Sequence, residues 1–148
     1  MKSAESPHSF LGINNDGHCC VIKTKGNLYS HIVLRGGKGR PNYHVEDIEE
    51  CENKLKEKKF EPRIIVDCSH ENSGKNHEKQ ALVIKDIITQ KQSGNESIFG
   101  IMIESNLFEG NQSIPNNLED LKYGVSITDA CIGWEETEEL LVDLHKSL

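Results

Sequence analysis

His70, Glu104 and Asp129 offer one imidazole and two carboxylates from three separate strand-to-helix connections. A mixed nitrogen and oxygen donor set of this kind suits a divalent first-row metal such as Mn, Fe or Zn. The same residues also allow a plainer arrangement, with His70 capping a helix, Glu104 paired to a lysine and Asp129 binding backbone amides. A second chemistry is written at Arg35-Gly36-Gly37. A guanidinium grips phosphate or carboxylate through two parallel N–H bonds, and glycine has no Cβ to block the anion's approach. Arg35 could equally serve in a surface ion pair. Lys38, Arg40 and Lys75 could join an anion site or remain solvated loop charges. Asp67 could orient His70 or a lysine. Cys131 has the chemistry of a ligand or nucleophile, although such a thiol is more commonly a small buried hydrophobe. Trp134 reads as a packing residue at a helix start.

These groups need elements to place them. Ile98 to Glu104 reads as a buried strand ending on a carboxylate, which is costly to bury without a partner. Arg63 to His70 ends in Asp67 and His70, and His31 to Gly37 delivers Arg35. Polar groups at the carboxyl ends of short apolar strands are how parallel α/β folds and barrels build their sites. Before them, Ser9–Ile13 and Cys19–Thr24, separated by the turn cluster Asn14-Asn-Asp-Gly17, predict a small hairpin. Val45, Ile48 and Leu55 have helical spacing through Lys59, with Pro62 as a stop. Ala81, Ile84, Ile87 and Ile88 mark a second helix, closed by Ser93-Gly94, and Leu140, Leu141, Leu144 and Leu148 mark a third from Trp134. Alternating strands and helices predict four parallel strands wound by right-handed crossovers, as a small open sheet or as half of an eight-stranded barrel.

The chain has 148 residues and a formal charge of -7, which disfavours a general nucleic-acid or anionic-membrane binder. Five cysteines without framework spacing predict free thiols in a reducing compartment, hence a cytoplasmic protein. No apolar run is long enough to cross a bilayer.

Four motifs carry a more specific signal: Ile32-Val-Leu-Arg-Gly-Gly37 with Pro41-Asn-Tyr43, Asp67-Cys-Ser-His-Glu-Asn-Ser73, Met102-Ile-Glu-Ser-Asn-Leu-Phe-Glu-Gly-Asn-Gln112, and Tyr123-Gly-Val-Ser-Ile-Thr-Asp-Ala-Cys-Ile-Gly-Trp134. In this order, from about Pro7 onward, the chain resembles the carboxy-terminal half of 3-deoxy-D-arabino-heptulosonate 7-phosphate (DAHP) synthase, of the microbial feedback-regulated type. The resemblance implies part of a (β/α)8 barrel that condenses phosphoenolpyruvate with erythrose 4-phosphate in the first step of the shikimate pathway. It implies Arg35 and His70 as phosphoenolpyruvate-binding and catalytic residues, and His70, Glu104 and Asp129 as ligands of Mn, Fe, Co or Zn. Residues 9–148 would supply strands five to eight with an inserted hairpin, and residues 1–8 a frayed terminus or the end of a missing helix. The family's fourth metal ligand, a cysteine, matches none of the five here. The family's hairpin helps bind an aromatic amino-acid effector, which places Phe10 and Gly12 at the effector site. The expected partners are the missing amino-terminal half or further copies of the chain. A half-barrel of this kind would be inactive alone. The competing expectation is an inactive half-barrel acting as a regulatory or interaction module, binding an aromatic amino acid or a full-length subunit.

Overall fold

The computed structural model describes residues 1–148. In chain order it contains α1 (Lys2–Glu5), β1 (Ser9–Ile13), β2 (Cys19–Lys23), β3 (Ile32–Leu34), α2 (Val45–Glu57), β4 (Ile64–Asp67), α3 (Gln80–Gln92), β5 (Ile98–Met102) and α4 (Trp134–Ser147). Short 3-10 turns lie at His70–Ser73, His77–Lys79 and Leu118–Asp120. The chain divides into two compact units, Met1–Ile32 and Val33–Leu148.

The first unit is the hairpin with the single helical turn α1. β1 and β2 pair antiparallel from Ser9 opposite Lys23 to Ile13 opposite Cys19. Asn14 closes the turn: its Oδ1 accepts from the amides of Asp16 and His18, at 3.0 and 2.9 Å. Asn and Asp favour such turns because their side chains can replace a backbone partner. No residue of this unit is buried, and Leu11 and Ile13 are about three-quarters exposed.

The second unit holds the core. Its sheet has the order β3-β4-β5, and β4 and β5 run parallel, Ile64 opposite Ile98 and Asp67 opposite Met102. Ile64, Val66 and Asp67 are all buried, which is why β4 reads as an unbroken apolar run rather than an alternation. α2 contributes Ile48 and Leu55, two turns apart on one face. It ends at Glu57, short of Pro62; Lys59 takes a positive φ of 62° and the Phe60 amide reaches back to the Leu55 carbonyl at 3.0 Å. α3 buries Val83, Ile84 and Ile87 together with Gln80 and Gln90.

Three features depart from the sequence expectation. β5 stops at Met102, so Glu104 lies just beyond the strand. The sheet has three strands and lacks the expected fourth; beyond β5 the long loop makes only isolated bridges, parallel at Ser105–Ile132 and at Asn111–Ser126. In its place, residues 104–112 form a spine on which the long following loop is laced: Asn106 donates to Ile132, Gly110 and Cys131 exchange both backbone bonds, and the Gln112 amide donates to Ser126. The leucine stripe of α4 is only half covered, since Leu141 and Leu148 are exposed, and Trp134 is itself 54% exposed rather than packed. Thr137 is the buried residue of that helix; its hydroxyl lies 2.6 Å from that of Ser105.

Candidate metal centre

The carboxyl end of β4 is where the chain turns from structure to chemistry. Asp67 is the last strand residue, with its side chain buried, and its Oδ1 accepts from both the amide and the hydroxyl of Ser69 at 2.9 Å. The backbone then enters a 3-10 turn through His70, whose φ of 48° lies in the left-handed region that few non-glycine residues adopt. This reversal points the imidazole back across the strand end. Nδ1 lies 2.8 Å from Asp67 Oδ2 and 2.7 Å from Ser69 Oγ. A carboxylate oxygen at 2.8 Å can only accept, so Nδ1 carries the ring proton. The Nε2 lone pair is left free on the opposite side of the ring. A carboxylate that fixes the tautomer in this way is the usual support for a metal-binding histidine.

Nε2 faces Glu104 Oε1 at 3.5 Å and Asp129 Oδ2 at 3.7 Å. The candidate ligand atoms of His70, Glu104 and Asp129 all lie within 4.8 Å of one another. Lys75, His77, Ser69, Ser73 and Ala130 complete the wall of a cavity of about 30 Å³ around them. Three acceptor groups thus converge with no hydrogen to share between them, and Asp67 adds a third negative charge behind the ring. Burial raises the Glu104 carboxyl above its usual range; His70 opposes this, while Asp129 and Asp67 add to it. A cation at the centre relieves this mutual repulsion, so the donor set fits a divalent metal. The three ligands are graded in exposure: His70 and Glu104 side chains are about one-quarter exposed, Asp129 69%.

Arg35 stands apart from this cluster. It follows β3, is exposed, forms none of the chain's salt bridges and does not line the cavity. Its loop is nevertheless rigidly held. Gly36 has a φ of 75°, and a Cβ there would come within 2.6 Å of Glu71 Cβ and 3.0 Å of the Asn72 amide nitrogen. Glycine is required at that turn on both counts. The Gly36 amide donates to Asn42 Oδ1 at 2.6 Å, and the Asn42 amide donates to Asn72 Oδ1 at 2.8 Å. Asn72 Nδ2 in turn donates to the carbonyls of Leu34 and Asp67, at 3.0 and 2.8 Å. One buried asparagine therefore ties the ends of β3 and β4 together. Of the other charged candidates, Arg40 lies 3.9 Å from Asp47, Lys75 lies 3.3 Å from Glu71, and Lys38 sits in the same glycine-rich loop as Arg40. Cys131 is buried beside the site, with its Sγ 3.6 Å from the Asp129 carbonyl, and burial pushes its thiol up. Phe10 and Gly12 share β1 in the other unit; Phe10 is half exposed opposite Ile22, and the Ile22 side chain fills the space a Gly12 side chain would need.

Comparison with known proteins places the chain among relatives. Residues 1–142 match the model of the DAHP synthetase I family. The chain belongs to that family. It is 47% identical over its full length to the Tyr-sensitive phospho-2-dehydro-3-deoxyheptonate aldolase of Salmonella typhimurium and 44% identical to the Phe-sensitive one of Escherichia coli, covering 41% and 42% of those proteins. A solved structure of the Francisella tularensis aldolase superposes with a TM-score of 0.87 at 44% identity, over 99% of this chain and 42% of that one. The chain therefore spans about two-fifths of the length of these DAHP synthetase I relatives. Its mixed α/β architecture with a parallel sheet is the family's own in this region. Within it, sequence reasoning singled out the three acidic and imidazole groups of the centre but passed over Ser69, Asn72 and Gln80. Each is a polar residue in a polar stretch, and its burial appears only in the folded chain.

Proposed function

We propose that this chain supplies the metal-binding and phosphoenolpyruvate-facing part of a DAHP synthase, a 3-deoxy-7-phosphoheptulonate synthase built on a (β/α)8 barrel. The observation that carries the reading is the convergence of His70 Nε2, Glu104 and Asp129 within 4.8 Å in a member of the DAHP synthetase I family. In this reading His70, Glu104 and Asp129 hold a divalent ion (Mn, Fe, Co or Zn). A metal bound there supplies Lewis acidity toward the aldehyde oxygen of erythrose 4-phosphate. The remaining work falls to the protein. Asp67 keeps the ring proton on Nδ1, so that Nε2 stays a lone-pair donor. Arg35, beside two glycines, neutralises and orients phosphoenolpyruvate, which must share a pocket with a second anion. Carbon 3 of phosphoenolpyruvate then bonds to the aldehyde carbon, water adds at carbon 2, and the C–O bond to phosphate breaks as phosphate leaves.

Barrel strands five to eight are the part of the synthase that this chain represents, and the rest of the substrate pocket comes from residues outside it. Free thiols at all five cysteines suit a reducing compartment such as the cytoplasm. The test is a synthase assay with manganese on the purified chain, alone and mixed with the amino-terminal half of a related enzyme. DAHP formed only in the mixture, and lost with His70→Ala, is the expected result. Turnover by the chain alone would refute the division of the pocket, and a folded chain inactive in both cases would refute the synthase reading.

A second reading draws on the hairpin. It is a separate compact unit with exposed apolar side chains, and the family relatives carry the designations Tyr-sensitive and Phe-sensitive. Phe10 and Gly12 on β1 would contribute to an aromatic amino-acid effector site, and the chain would act as a regulatory module that binds the effector or a full-length subunit. Calorimetric titration with tyrosine and phenylalanine tests this: binding weakened by Phe10→Ala supports it, and no heat with either amino acid rejects it.

A further inference from the structure

Gln80 opens α3, and its side chain is completely buried. A carboxamide has two donor hydrogens and an acceptor oxygen, so burial demands partners for both ends. Both of its hydrogen bonds go to a single residue. Nε2 donates to the Glu104 carbonyl at 3.0 Å, and Oε1 accepts from the Glu104 amide at 2.8 Å. One donor and one acceptor facing the same residue is the pattern a neighbouring strand presents.

The end of the sheet shows why a substitute strand is needed there. The last rung between β4 and β5 runs from the Cys68 amide to the Met102 carbonyl at 2.8 Å. Past that rung the chain leaves the ladder, turning through the positive φ of His70 into the 3-10 turn. That departure brings the imidazole over the site, but it strips Glu104 of a strand partner on the same side. The same Glu104 carbonyl also accepts from the Ile132 amide at 3.0 Å, the bond that ties it to the segment carrying Asp129. α3 packs against the turn that bears His70 as well. One helix is thus referenced to two ligands, and one peptide to the third.

We propose that Gln80 is a positioning residue of the metal centre: its amide stands in for the missing strand neighbour of Glu104 and sets that carboxylate at its distance from His70 Nε2 and Asp129. The inference rests on the metal-site reading given above. Gln80 would touch neither metal nor substrate. It acts through the Glu104 backbone, as outer groups around a metal site commonly do.

The experiment uses the purified chain with Gln80→Met, close in size but without either hydrogen bond, and Gln80→Asn, one methylene too short to reach. Manganese affinity is measured by titration calorimetry, and exchange of the Glu104 amide by NMR without metal. Both variants are expected to keep the circular dichroism of the parent, to lose protection at the Glu104 amide, and to bind manganese about 10- to 100-fold more weakly. Parental affinity in Gln80→Met, together with loss of binding in His70→Ala, would overturn the role of Gln80 while leaving the metal site intact. No manganese binding by the parent would overturn both. Should Gln80→Met not fold, Gln80→Asn carries the same comparison, and its parental affinity would be equally fatal.

Discussion

The hairpin unit and the sheet-and-helix unit solve opposite problems. The first has a regular antiparallel ladder and a well-formed asparagine turn, yet buries no residue and leaves Phe10, Leu11, Ile13 and Val21 at least half exposed. The second has only three short strands, yet fully buries Ile48, Ile64, Val66, Cys68 and Ile132 and gathers His70, Glu104 and Asp129 beyond the ends of β4 and β5. Both are held by backbone hydrogen bonds, but only the second packs an interior. Since burial rather than backbone pairing supplies most of the net stability of a fold, the difference predicts where a substitution will be felt. It also shows why the candidate site lies in the second unit. A ligand set needs its backbone held within fractions of an ångström, and only the packed unit has interior residues, such as Asn72 and Gln80, to hold it.

Five substitutions or treatments sharpen the contrast, in decreasing order of expected size, with Leu11→Ala set beside Ile64→Ala as its control. His70→Ala removes the one nitrogen ligand and is expected to abolish measurable manganese binding by calorimetry while leaving the melting profile cooperative, because the imidazole contributes little to the core. Ile64→Ala removes a fully buried side chain from the central strand β4 and should cost about 2–5 kcal/mol in denaturant unfolding. Leu11→Ala on the hairpin, by contrast, should stay within about 0.5 kcal/mol. Equal costs at these two positions would erase the distinction between the units. Asp67→Asn keeps the shape beside His70 but removes the charge that fixes the ring proton, and should weaken manganese binding about 10- to 100-fold. The smallest effect concerns thiol chemistry. Burial on α2 pushes the Cys51 thiol up, so at pH 8 it holds less thiolate than an ordinary thiol, and its alkylation should keep accelerating at pH values where an ordinary thiol has levelled off. Iodoacetamide labelling read by mass spectrometry should therefore modify exposed Cys19 ahead of Cys51, with buried Cys68, pushed up to about 12, last of all.

Much of the centre was legible because strand ends are punctuated in the sequence. An unbroken apolar run that closes on Asp67 or approaches Glu104 leaves few roles for the acid. Parallel pairing of β4 with β5 brings those two ends together by topology alone, whereas Asp129 arrives from the loop beyond and Arg35, at the end of β3, stays apart. The helices were legible where their buried residues are aliphatic, as at Ile48, Leu55, Ile84 and Ile87. Legibility failed where polar side chains do the work of backbone. Gln80 and Gln90 interrupt the apolar face of α3 and so hide its true extent, yet both are buried because their amides satisfy carbonyls of Glu104 and Tyr43. Asn72 looks like a loop residue and acts as a tie between two strand ends. The fourth strand failed for another reason: residues 104–112 and 126–132 exchange isolated bridges across glycine and proline-bearing chain, which has no periodicity to read. The leucines of α4 misled in the other direction, since helical spacing reports an apolar stripe and not whether this chain covers it.

The central claim is that His70, Glu104 and Asp129 bind one divalent ion. The most direct measurement is a crystal of the chain soaked in manganese, with data collected where manganese scatters anomalously. The account predicts a single strong anomalous peak within bonding distance of His70 Nε2 and of carboxylate oxygens of Glu104 and Asp129, and its loss in His70→Ala. At saturating manganese, a peak elsewhere or none at all would contradict it.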